Sequence, residues 1–193
     1  MRTNTARVAQ VLSIGLVLAV ITGCGSTPPG GAAVSTRPTR DGLPSAQAAP
    51  PGSCHYRGPL PDPTCTPGES DDGVSQATIQ TTICVPGWSA KARPPVQVTE
   101  PIKRERMRAY GISAALSTVE LDHAEPISLG GASTVANLWP QPWDGPEGAH
   151  VKDRLEEALQ HLVCQGKLPL AQAQHAITTD WVAAYRTYVG PIA

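Results

Sequence analysis

Apolar positions recur at helical spacing most clearly towards the C-terminus. Val151, Leu155, Ala158, Leu159, Leu162 and Val163 form one stripe, which predicts an amphipathic helix over 147–164 that Gly166 stops. Leu170, Ala173, Ile177, Trp181, Ala184 and Tyr185 form a second stripe, opened by Pro169 and running to 188. Short runs over 117–122 and 134–139, separated by Gly130-Gly131, predict two strands joined by a turn. Upstream the pattern weakens. Asp71-Asp72 offer caps for a helix over 74–82, with Val74, Ile79 and Ile83 as its apolar contacts. Pro101 opens a helix over 102–110 that Gly111 closes. The stretch 89–98, with two prolines, reads as extended, and 54–73, dense in Pro and Gly, as ordered loop.

The N-terminal pattern is of another kind. Arg2 and Arg7 precede an apolar run over 8–20 that is too short and wrongly flanked for a resident membrane span. It ends in Ile21-Thr22-Gly23-Cys24, which resembles the lipobox of bacterial lipoproteins. That resemblance implies cleavage before Cys24 and a lipid on its thiol; an ordinary secretory signal with an incidental Cys is the alternative. Residues 25–53 are rich in Pro, Gly, Ala, Ser and Thr and cannot bury a core. The expected organisation is a signal peptide over 1–23, a tether over 24–53 and a globular domain over 54–193. The expected location is the cell envelope, anchored to the outer face of the cytoplasmic membrane or secreted, as a monomer.

Composition changes this picture in two places. Of 5 Cys in 193 residues, setting Cys24 aside leaves Cys54, Cys65, Cys84 and Cys164, an even set that reads as two disulfides in an exported chain. A zinc site is the competing reading, and no close Cys-x-x-Cys pair supports it. Of three possible pairings, Cys54 with Cys65 and Cys84 with Cys164 is preferred, because closing the long loop constrains the unfolded chain most, by roughly 4 kcal/mol. The net charge of −1 announces no overall affinity for nucleic acid. Local basicity remains: Lys103, Arg104, Arg106 and Arg108 share one expected helix, and Lys91 and Arg93 precede it. They form either a phosphate-facing surface or a solvated helix face.

Candidate chemistry centres on Asp122-His123, at the end of the first expected strand. From there adjacent side chains can reach a common solvent-facing site with one hard oxygen ligand and one imidazole base. With Gly130-Gly131 and Asn137-Leu138-Trp139-Pro140-Gln141, the pair resembles the ββα-metal motif of the HNH endonucleases, in particular a bacterial envelope branch carrying DH…LGG…NLWPQ. The likeness extends to Leu60–Gly68, Ile83–Trp88 and Lys152–Glu156. It implies an α+β fold: a small ββα-metal core with additional packing helices and a disulfide-tied N-terminal loop region. It implies that His123 activates water for attack on a phosphodiester, and that Asp122 holds a divalent ion (Mg, Mn or Zn). Asn137 would brace the hairpin loop and orient His123. The helix-borne ligand of the family falls in a loop here, and His150 is the nearest replacement, with Asp153 and Glu156 further along the helix. DNA is the expected substrate ahead of RNA. A scaffold without catalysis, binding an envelope or nucleic-acid partner, is the alternative, in which Asp122 and Asn137 only satisfy turn backbone. Trp139 and Trp143 are expected to plug a small core before they would stack on bases.

Overall fold

The computed structural model describes residues 49–192; the signal segment, Cys24 and most of the expected tether lie outside them. The fold is α+β, with four α-helices and one two-stranded antiparallel sheet among the described residues. In chain order these are α1 (Trp88–Ala92), α2 (Val96–Ala109), β1 (Val119–His123), β2 (Leu138–Pro142), α3 (Ala149–Cys164) and α4 (Leu170–Tyr188).

The two C-terminal stripes form helices as the spacing predicts. Leu155, Leu159 and Val163 of α3 are fully buried against Leu170, Ala173, Ile177 and Trp181 of α4, with Ile79, Ile83 and Leu129 completing the main core. The α4 backbone breaks at Asp180 (φ −158°, ψ 92°). There the carboxylate accepts a hydrogen bond from the Ala183 amide at 3.0 Å, as an N-cap does, and restarts the helix. A second, smaller core gathers Cys54, Ala109, Tyr110 and Trp139.

The disulfides are Cys54–Cys65 and Cys84–Cys164, the pairing expected. The first staples the Pro-rich loop. The second ties the segment after residue 83 to the last turn of α3. Two disulfides place the chain in an oxidising, non-cytoplasmic environment. Among the described residues no helix is long and apolar enough to cross a membrane.

The upstream elements differ from the pattern. No α-helix forms over 74–82; the segment is turns and one 3-10 turn, Ile79–Thr81. Its hydroxyls explain this. Thr78 donates to the Gly73 carbonyl, and Thr81 and Thr82 donate back to Thr78, so side chains satisfy backbone that a helix would otherwise pair. Asp71 accepts from the Gly73 amide at 2.7 Å and closes a turn, not a helix. The stretch expected to be extended is largely helical. Pro95 is the N-cap of α2, and Pro101 lies inside the helix, where Gln97 loses one intrahelical donor. The strands sit slightly later than predicted, pairing Glu120 with Gln141, Asp122 with Trp139 and His123 with Leu138. Residues 49–53, assigned to the tether, are hydrogen-bonded to α2: the Ala49 amide donates to Glu105 and the Gly52 amide to the Arg108 carbonyl.

Candidate functional site

The site grows from the hairpin. Gly130 adopts φ +89°, and a Cβ there would lie 2.6 Å from Val74. A Cβ on Gly131 would lie 1.7 Å from the Glu125 carbonyl oxygen, so backbone must pass backbone at this point. Asn137 is fully buried and clamps the same loop: its Oδ1 accepts from the Glu125 amide, and its Nδ2 donates to the Glu125 and Ala132 carbonyls, all at 2.8 Å. Glu125 in turn accepts from Ser70 and from Gln174 of α4, and burial raises its carboxyl above the ordinary range. The loop between β1 and β2 is thus fixed from within and from two neighbouring segments.

Asp122 and His123 are both buried, and as consecutive strand residues they point to opposite sides of β1. They do not share one solvent-facing site, as the sequence suggested. The His123 Nε2 lies 2.9 Å from Ser133 Oγ. It lines a cavity of about 190 Å³ with Arg93, Pro94, Val96, Thr99, Leu121, Ser133 and Leu138. Burial pushes its imidazole down to about 4, and the charges of Arg93 and Lys152 act the same way against Asp122. His123 is therefore neutral at physiological pH. A second cavity of about 450 Å³ shares Val96, Thr99 and Leu121 with the first and adds Glu100, Lys103, Glu120 and Trp143. The two adjoin along β1 and the start of α2, and together they are called the groove.

Asp122 meets α3. Its Oδ1 accepts from the His123 amide at 2.7 Å, and its Oδ2 lies 2.9 Å from Lys152 Nζ. That second contact has the distance of an ion pair without the alignment of a hydrogen bond, so Coulomb attraction carries it. Lys152 is 1% exposed and also donates to the His123 carbonyl at 2.9 Å and to Glu156 at 2.5 Å. Its ammonium is held charged: burial opposes the charge, and the Asp122 and Glu156 carboxylates overcome it. Glu120, two residues before Asp122 on the same strand face, is raised to about 8 by burial and then by the neighbouring carboxylates of Asp122, Asp153 and Glu156.

The other expected residues are dispersed. His150 and Asp153 are more than half exposed, 3.9 Å from each other, and His150 stacks on Trp143 at 5.1 Å. Each three-residue step along a helix turns back by about 60°, so the series His150, Asp153, Glu156 runs from solvent into the interface instead of following one face. Arg106 faces no phosphate surface. It is 2% exposed, donates to the Cys65 carbonyl at 3.2 Å and to Thr66 at 3.3 Å, and lies over the Tyr110 ring. Arg104 pairs with Glu100 on the surface; Lys91 and Arg108 are exposed. Of the basic set, Arg93 lines the His123 cavity and Lys103 the adjoining one. Trp139 is buried beside Tyr56, while Trp143 is only half-buried and lines the groove.

A divalent ion on Asp122 does not fit this arrangement. Both carboxylate oxygens are engaged, one by a buried cation. Among the described residues no three His, Cys, Asp or Glu side chains converge as a metal would need. Sequence reasoning missed Lys152, Ser133 and Glu120. Lys152 was visible as the one charge in the register of Leu155, Leu159 and Val163.

Compared with protein families, curated proteins and solved structures, the chain matches none. The HNH resemblance therefore rests on the motif residues alone.

Proposed function

We propose that the chain is an extracytoplasmic hydrolase of nucleic-acid phosphodiesters, of HNH type, monomeric and lipid-anchored through Cys24, with His123 as general base. The observation that carries this reading is the groove. A neutral imidazole and Arg93 line one cavity, and Lys103 and a half-buried Trp143 line the cavity adjoining it. A neutral imidazole can take the proton of an attacking water; a guanidinium suits the charge of a phosphodiester; an indole face suits a base, DNA ahead of RNA. The order β1, loop, β2, α3, with the Asn137 clamp, also supports a ββα core of the HNH kind.

In this reading water attacks phosphorus as its proton passes to His123. The bond to the leaving oxygen breaks, and that oxygen takes a proton from solvent. Arg93 offsets the charge of the phosphate oxygens. No step is assigned to a metal.

A plasmid-nicking and RNA-cleavage assay tests the reading, with Mg²⁺, Mn²⁺ or Zn²⁺ and with chelator. His123→Ala should lower cleavage by on the order of 10²–10⁴. The rate should already be on its plateau at pH 6, because the base titrates near 4 and not near 6.5. Wild-type protein that cleaves neither DNA nor RNA under any of these conditions would end the proposal. The second reading, a silent scaffold that binds nucleic acid or an envelope partner, is favoured by Lys152 sitting on the carboxylate the family gives to metal.

A further inference from the structure

The Asp122 pocket holds a finished ion cluster. Three oxygens surround Lys152 Nζ: Asp122 Oδ2 at 2.9 Å, Glu156 Oε1 at 2.5 Å and the His123 carbonyl at 2.9 Å. An ammonium has three N–H groups and no acceptor; two are given to Glu156 and the His123 carbonyl, and the Asp122 carboxylate adds its counter-charge at ion-pair distance. A neutral amine would leave two carboxylates facing each other with nothing between them. Two further carboxyl groups lie in reach of its charge, Glu120 from β1 and Asp153 from α3. They are the kind of oxygen donors a divalent ion takes.

We propose that Lys152 is the built-in cation of this site: its ammonium stands where the resemblance puts a divalent ion, so Asp122 is a lysine partner and the domain binds no metal there. The inference rests on the HNH reading only for the position of the expected metal ligand. Lys152 is tied to the residue that carries the base, through the His123 carbonyl. It is a positioning residue, since its 1% exposure keeps it from touching a substrate.

The test is metal binding, which does not depend on cleavage. Purified full-length protein is titrated with Mn²⁺, read by calorimetry and by the paramagnetic signal of free Mn²⁺, and its thermal unfolding is compared with and without EDTA. Wild type should show no Mn²⁺ binding that Asp122→Asn removes, and no shift of Tm with EDTA. Lys152→Met keeps the volume and deletes the charge. It should gain Mn²⁺ binding at least tenfold tighter than wild type, and adding Asp122→Asn should abolish that gain. Lys152→Arg should gain none. One-to-one Mn²⁺ binding by wild type that falls tenfold or more in Asp122→Asn would overturn the inference. So would a folded Lys152→Met that takes no Mn²⁺. If Lys152→Met does not fold, wild type against Asp122→Asn decides the matter alone. A protein that cleaves nothing but behaves as expected in these titrations leaves the inference standing and removes only the nuclease reading.

Discussion

At the scale of single residues, the arginines show how burial decides a role that charge alone leaves open. Arg93 is exposed and lines the His123 cavity; Arg106 is sealed against the Cys54–Cys65 loop and Tyr110. The two alanine variants should therefore separate. Arg93→Ala should leave stability within about 0.5 kcal/mol and weaken binding to a DNA oligonucleotide, lowering the slope of log affinity against log salt by about one. Arg106→Ala should cost about 3 kcal/mol in urea unfolding, since it strips a charged donor from buried acceptors. Equal stability losses, or an unchanged salt slope for Arg93→Ala, would contradict the placement of the groove. Lys152 carries the same lesson inwards. A lysine in an apolar register is stable only because Asp122 and Glu156 meet it, and the partner on β1 is thirty residues away in sequence.

At the scale of elements, α3 and α4 were legible because their apolar positions repeat at helical spacing; the break at Asp180, where a side chain caps a new turn, was not. The hairpin was legible through its glycines and Asn137. The region before β1 was not. There Thr78, Thr81 and Thr82 bond their own backbone, and Pro101 lies inside α2 without ending it, so local signals conflict with what packing selects. The candidate site was half legible. Asp122 and His123 were found, but the alternation of side chains along a strand sends them to different neighbours, and the residues completing each side, Ser133 and Lys152, come from a loop and a helix. The disulfides were legible from loop length, and that argument makes a further claim. Sequence separations of 80 and 11 give about 4.5 and about 3 kcal/mol on the loop-entropy account. Replacing Cys84 and Cys164 by Ser should cost more than replacing Cys54 and Cys65, measured by denaturant unfolding. The reverse order would mean that local packing, not chain closure, sets the value of these bridges.

At the scale of the whole molecule, buried titrating groups of opposite kinds face the two sides of β1, and together they shape stability against pH. His123 is lowered from 6.5 to about 4, so between those values the unfolded chain binds more protons and stability rises with pH, by on the order of 3 kcal/mol in all. Glu120 is raised from 4.5 to about 8, so between those values the folded chain binds more protons and stability falls as pH rises. Glu156 is raised too, chiefly by burial. From about 4.5 to 6.5 the two effects oppose each other. Above 6.5 the histidine no longer contributes, and the carboxyls alone should make the domain less stable towards pH 8. Urea unfolding at pH 6.5 and 8 measures this directly. Wild type should lose stability across that interval. Glu120→Gln, which keeps the shape of a protonated carboxyl and cannot ionise, should lose distinctly less and be the more stable protein at pH 8. A wild type that gains stability from pH 6.5 to 8, or a Glu120→Gln variant with an unchanged slope, would show that the acidic groups around Lys152 are already ionised and compensated in the folded chain.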